Sequence, residues 1–309
     1  MTALNTLKPW HDPVGRWNRY WFAASNGLRL AICRIVVVAA QLLLFTPSLE
    51  NQLERVRAND GFTEPQAIIT AVCAIVGEEN FRTVGVITAV YWLTVAVGVT
   101  TLIGLFTRAS AFLFAAGTFL IVTHAYSYGE EHHPEALYSI FLMLLAFSPS
   151  GARLSVDAWI RRRRTDQPGG DGRRLRYPTA LWPIKLTQVM FALIYMNAGM
   201  CKLHDGGLAW MNGYTLGHHL FADAVLHDLP VGIWLARFHG LCVVMSVGTI
   251  VLEVFFFVGL LLPRMLPVIL LGCAGMHIGI YLTQNAPFFQ FLVLYVIFID
   301  FERRRRSNA

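Results

Sequence analysis

Long uninterrupted apolar runs constrain this chain more than any other feature. Residues 35–45, 84–105, 243–262 and 288–299 carry almost no charge. Runs approaching 20 apolar residues match the hydrocarbon thickness of a bilayer when wound as helix. Backbone amides and carbonyls find no water in lipid, so spans of this kind are helical rather than isolated strands. The remaining composition agrees. Only 14% of the 309 residues are charged, where soluble domains carry roughly a quarter, and the mean hydropathy is +0.51. A soluble single-domain enzyme is excluded; the expected fold is an all-α polytopic bundle.

The pattern predicts about eight spans, near 27–47, 84–105, 109–127, 136–149, 179–201, 241–262, 265–284 and 286–301. Two weaker segments, 67–76 and 207–226, read as interfacial or re-entrant helices because they are short or interrupted by polar groups. With the N-terminus inside, 18 of the 25 Lys and Arg fall on the inner side and five outside, whereas 12 of the 19 acids lie outside. The Lys/Arg bias sets orientation, so both termini are expected in the cytoplasm. The loop 150–178, with its Gly-Gly-Asp-Gly at 169–172, reads as a cytoplasmic linker between two four-helix halves of one transmembrane domain spanning 1–309. The N-terminal stretch is polar and Trp-rich, unlike a cleavable signal.

The net charge of +6 comes from arginine blocks at 161–164, 173–176 and 303–306 rather than from basic residues interleaved with stacking aromatics. That argues for positive-inside loops and against nucleic acid as a partner. The five cysteines show no metal or redox spacing, and buried thiols are the expectation.

Ionisable groups at membrane depth are functional candidates. Nine of the ten histidines fall outside or in the outer half of a span under this topology. The loop Gly-Glu-Glu-His-His-Pro-Glu at 129–135 concentrates His132 and His133 among carboxylates, yet adjacent ligands rarely converge on one ion, and no metal is expected. In Tyr-Met-Asn-Ala-Gly-Met-Cys-Lys at 195–202, Lys202 closes the fifth span on the side where a basic anchor is disfavoured. A partly desolvated lysine can act as a base. Glu253 and Arg34 lie within spans, and Arg34 is the nearest counter-charge to Glu253 in depth; a purely structural polar network of Glu253, Arg34 and His277 is the competing reading.

Several motifs in one order resemble a known family. They are Gly-Leu-Phe-Thr-Arg at 104–108, the His132–His133 loop before Leu-Leu-Ala-Phe-Ser-Pro, Leu-Ser-Val-Asp-Ala-Trp at 154–159, and 195–203 followed by Trp-Met-Asn-Gly-Tyr at 210–214. Together they resemble the transmembrane region of vitamin K-dependent γ-glutamyl carboxylases, which in bacteria is the family of horizontally transferred transmembrane (HTTM) proteins. The resemblance runs from about residue 28 to 300. It implies a bacterial inner-membrane, multi-pass protein that uses a reduced naphthoquinone with O2 and CO2 at an outward-facing site. Lys202 matches the family's base, and His133, or His132, matches the histidine that assists at the substrate glutamate. His277, Glu253, Tyr195, Asn197, Trp210 and Arg34 would line the pocket, with Lys202, His133 and His277 converging on one cavity. The animal enzymes have Asn before that histidine and a large lumenal domain for their protein substrate; neither is found in this sequence. Partners implied are membrane lipid and a peptide or protein substrate. Two alternatives stay open: a non-catalytic component for maturation, export or immunity of a secreted peptide, and a proton-coupled transporter.

Overall fold

A computed structural model describes residues 12–22, 25, 27–58, 61–129, 133–165 and 181–301. Among these residues there is no β-strand, and the fold is all-α. The chain divides into two compact units, Met1–Lys185 with Val296–Ala309, and Leu186–Tyr295.

In the first unit, α1 (Pro13–Phe22) precedes α2 (Leu28–Ala40), which a π-helical turn extends to Phe45. The short helices α3 (Leu49–Arg57), α4 (Ala67–Val76) and α5 (Glu78–Phe81) lead into α6 (Val84–Ile103), α7 (Thr107–Tyr126), α8 (His133–Ala146) and α9 (Val156–Thr165). Helix α7 packs between α6 and α8, and α2 lies against α6 and α8. The core joins Leu30, Cys33 and Val37 of α2 to Phe114 of α7 and to Leu137, Phe141 and Leu145 of α8, all essentially inaccessible. Tyr138 of α8 donates its hydroxyl to the Val37 carbonyl at 2.6 Å. A chain of contacts marks each end of this unit. At one end Arg29 donates to the Ile297 carbonyl at 2.7 Å and the Lys185 ammonium sits 4.7 Å from the Tyr20 ring centroid. At the other, His124 Nδ1 bonds Gln52 and the Tyr126 hydroxyl bonds Glu135.

The second unit holds most of α10 (Trp182–Gly206), continued by a 3-10 segment Gly207–Asn212, then α11 (Tyr214–Leu226), α12 (Pro230–Ala236), α13 (His239–Val254), α14 (Val258–Leu261), α15 (Leu266–Gln284) and α16 (Phe289–Leu294). Glycine 213, at φ 84, turns the chain from the 3-10 segment into α11.

Five helices are long and apolar enough to cross a membrane: Leu28–Phe45, Val84–Ile103, Thr107–Tyr126, Trp182–Asn212 and Leu266–Gln284. A sixth arises if Pro230–Ala236 and His239–Val254, bent by 101° at their junction, form one broken span. Hydropathy alone implied about eight spans, with 136–149 and 286–301 already short, and these two and one further segment fall below a full crossing. Helix α8 has 14 residues, which at 1.5 Å per residue reaches about 21 Å of a roughly 30 Å core. Phe289–Phe298 is shorter still. The apolar run 241–262 is not one helix, because α13 ends at Val254 and Phe256 turns inward to become fully buried against Phe191 and Tyr195. Leu43, Leu113, Val244, Val268 and Leu271 all expose more than half of their surface. Apolar exposure on this scale is a liability in water and suits lipid.

Candidate functional site

The polar groups of the second unit gather because of spacing and one close helix approach. Tyr195 and Lys202 are seven residues apart on α10, two turns, and so share a face. Gly199 lies between them on nearly the same face. A Cβ built there would meet Val254 Cγ2 at 2.7 Å and Glu253 Cβ at 3.0 Å, so the missing side chain is what lets the end of α13 approach. Glu253 thereby reaches Lys202, whose Nζ donates to both carboxylate oxygens at 2.7 Å. The glutamate side chain retains 9% of its exposure and the lysine 28%. The ammonium also lies 5.5 Å from the Trp210 ring centroid, a cation–π contact from the 3-10 segment.

Helix α15 contributes Cys273 and His277, four residues apart and both buried. His277 Nε2 and the Tyr195 hydroxyl are 2.5 Å apart. The Tyr195 ring stacks on Phe256 at 4.6 Å and on Phe191 at 5.1 Å, while Phe288 and Phe291 pack on the His277 imidazole at 4.9 and 5.7 Å. His277 Nδ1 is buried without a hydrogen-bond partner among the described residues. Whichever tautomer is present, this leaves an unfilled donor or acceptor, which costs about 1–3 kcal/mol in a dry interior. The arrangement can therefore move a proton between Lys202 and Glu253 and offer one more polar contact inside a cage of flat rings.

The sequence model of the HTTM domain matches residues 22–303. The chain belongs to the HTTM domain family. Neither a curated protein nor a solved structure matches it. Family membership and the apolar helices together make it a multi-pass membrane protein.

The remaining expected site residues of this HTTM chain fall elsewhere. Asn197 is two positions from Tyr195, about 200° round the helix, and is exposed on the far face of α10. Lys202 does not end its helix, which continues to Gly206 and, as 3-10, to Asn212. Arg34 is not the partner of Glu253. It belongs to the first unit, is fully buried, and donates to the carbonyls of Ser150 at 2.9 Å and Leu154 at 2.5 Å. His132 lies outside the described residues. His133 begins α8, but its side chain also lies outside them, so its place relative to Lys202 and His277 is not part of this geometry. No group of three or more His, Cys, Asp or Glu that could hold a metal occurs among the described residues.

The motifs at 104–108 and 154–159 form a structural clasp around Arg34. Asp157 caps α7: Oδ1 accepts the Phe106 N–H at 2.9 Å, and Oδ2 accepts the Thr107 N–H and hydroxyl at 2.7 Å each. The Asp157 N–H returns a bond to the Gly104 carbonyl at 3.0 Å. Gly104 adopts φ 73 and leaves room for Arg34, whose Nη1 would lie 2.7 Å from a Cβ there. Phe106 has the left-handed φ of 47, and the Asp157 bond at its N–H holds that strained turn. Partial burial pushes the Asp157 carboxyl up, but the bonds from Thr107 and Phe106 and the nearby Arg161 outweigh it, and the group sits below its ordinary range.

The aromatic cage is the part that sequence reasoning missed. A signal was present in Phe191 and Tyr195, and in Cys273 and His277, each pair four residues apart on one helix face. Phe256 and Tyr295 carry no comparable periodic signal, since each is brought in by a helix end.

Proposed function

We propose that this chain is a carboxylase-like membrane enzyme, using a reduced naphthoquinone, O2 and CO2 at a site built on Lys202, Glu253, His277 and Tyr195. The observation that carries this reading is the Lys202–Glu253 pair on the α10 face that also bears Tyr195, whose hydroxyl bonds a caged His277 with Nδ1 unfilled among the described residues. A naphthoquinol is flat, apolar at its edges and hydroxylated at opposite ends. The rings of Tyr195, Phe256 and Phe191 pack on one another and would part to take its plane, and His277 Nδ1 suits one of its oxygens. When bound, that group and O2 would supply the reducing equivalents and the strong base that the side chains lack.

The protein's own part is proton handling. A base must be uncharged at the nitrogen that accepts the proton. Shifting one proton from Lys202 Nζ to a Glu253 oxygen 2.7 Å away leaves a neutral amine beside a carboxylic acid, with no net charge created. In a low-dielectric site that exchange is cheaper than discharging an isolated ammonium, because neither state leaves a lone buried charge. Nζ then accepts a proton from an acidic hydroxyl, and the Trp210 face favours the ammonium that results. His133, or His132, would assist at the carbon acid, as the family resemblance implies.

The proposal includes eight crossings of a bacterial inner membrane with both termini inside. The contacts Tyr20–Lys185 and Arg29–Ile297 support an even number of crossings between the joined ends. A single cysteine introduced in the 151–178 loop should resist an impermeant thiol reagent in intact cells; ready labelling would contradict the orientation. A second reading, a non-catalytic maturation or immunity component, draws on the same ion pair, because Lys202 and Glu253 satisfy each other without a ligand. Mass spectrometry of the purified protein separates the two. The enzyme reading expects a co-purifying quinone and oxygen uptake on adding reduced naphthoquinone, the uptake lost in Lys202→Arg because a guanidinium does not discharge. No quinone and no uptake would favour the second.

A further inference from the structure

The helix α1 does not enter the core of the first unit, and its composition says what should cover it. Its sequence, Pro-Val-Gly-Arg-Trp-Asn-Arg-Tyr-Trp-Phe, separates two faces at 100° per residue. Val14, Trp17 and Trp21 fall within about 60° of one another, while Arg16 and Arg19 fall on the other side. Asp12 starts the helix by accepting the Gly15 N–H at 2.7 Å. No residue of α1 is buried, and Val14 and Trp17 expose 67% and 61% of their surface. Trp17 and Trp21 pack ring to ring at 5.5 Å, so the apolar face is a continuous aromatic ridge that no described residue buries.

Two constraints fix where this ridge lies. Phe22 is six residues before Leu28, where the first long apolar helix starts, and a chain of that length reaches at most roughly 20 Å. Tyr20 is held under the Lys185 ammonium, within the first turn of the long apolar helix α10. The helix is thus tied at two points to the ends of membrane-crossing segments. Charge complementarity names the occupant: Arg16 and Arg19 have no carboxylate partner among the described residues, and a further cation, Lys185, lies over Tyr20 of the same helix.

We propose that α1 lies in the bilayer surface as an anchor for anionic phospholipid, with Val14, Trp17 and Trp21 in the acyl boundary and Arg16 and Arg19 on the headgroup phosphates. A short amphipathic helix rich in Trp and Arg binds a membrane by combined apolar burial and attraction to anionic lipid. This inference stands apart from the chemistry of Lys202 and does not depend on it.

The test uses the full chain in nanodiscs of brominated phosphatidylcholine, with or without one quarter phosphatidylglycerol. Subtracting the fluorescence of Trp17→Phe isolates the Trp17 signal. That signal should be quenched by the bromolipid, and phosphatidylglycerol should be retained on the protein in preference to phosphatidylcholine. Arg16→Gln with Arg19→Gln should weaken the preference roughly five-fold for each arginine, and 1 M NaCl should weaken it in the unaltered protein. The salt arm needs no variant and so survives any loss of folding in the double substitution. An unquenched Trp17 would overturn the proposal by placing the ridge in water or against another protein. Quenching with no dependence on lipid charge, salt or the arginines would also overturn it, leaving an apolar anchor that does not recognise anionic headgroups.

Discussion

Arg34 in the first unit and Glu253 in the second are both charged side chains within long apolar segments, yet they are held in opposite ways. Arg34 gives its protons to two backbone carbonyls, in a turn that Asp157 closes chiefly through backbone N–H groups. Glu253 is held by another titratable side chain, close to a histidine and a tyrosine that bond each other. A charge pinned to carbonyls has no second protonation state within reach and can only hold the fold. A charge paired with Lys202 can exchange a proton without leaving a lone charge behind. Depth in the membrane alone does not distinguish a clasp from a reactive site; the chemical identity of the partner does.

Replacing Arg34 is the harshest way to break this contrast. Arg34→Met would leave the Ser150 and Leu154 carbonyls without their donor, at about 1–3 kcal/mol each. Thermal unfolding in detergent should show the largest loss of any single change in the polar groups. A variant that unfolds like the parent would remove the clasp from the account.

Lys202→Ala sharpens the comparison from the other side. On sequence grounds, a lysine at a helix end should cost little; the structure overturns this, because its removal strands the Glu253 carboxylate. Breaking a fully buried pair costs about 3–5 kcal/mol, and the partial exposure of Lys202 reduces this to about 2 kcal/mol. Lys202→Ala combined with Glu253→Ala should recover most of that loss. Equal damage in the single and double variants would mean that the carboxylate was never stranded.

Asp157→Asn is the mildest probe. It should cost about 1 kcal/mol, typical of losing a helix cap, and no more than Arg34→Met. Because the folded carboxyl sits below its ordinary range, its contribution is complete above that range and fades as the pH falls through and below it. Parent and variant should therefore differ in stability at neutral pH and converge in acid. A difference that grew on acidification would reverse the sign of the shift.

Apolar runs and helical period made the fold class legible, together with the burial of Arg34, Glu253 and His277. They did not give neighbours. That Glu253 meets Lys202 depends on Gly199 admitting α13, which no pattern within one helix encodes. The end of the fifth span was misplaced because hydropathy falls at Lys202, while the helix continues through residues whose polar groups the protein itself engages. Asn197, two positions from Tyr195, faces the other way by helical period alone. The motifs at 104–108 and 154–159 were informative as a pair, but for folding: Asp157 and Arg34 use them to close a turn.

We propose that the Lys202–Glu253 pair serves chemistry, whereas Arg34 serves structure. Oxygen uptake with reduced naphthoquinone, measured on the Lys202→Ala, Glu253→Ala double variant, tests it most directly, because in that protein stability and activity come apart. Unfolding should stay close to the parent's and uptake should fall by about 10²–10⁴-fold, the usual loss when a general base is removed. Uptake within a few-fold of the parent, in a protein folded as well as the parent, would show that the pair is structural after all.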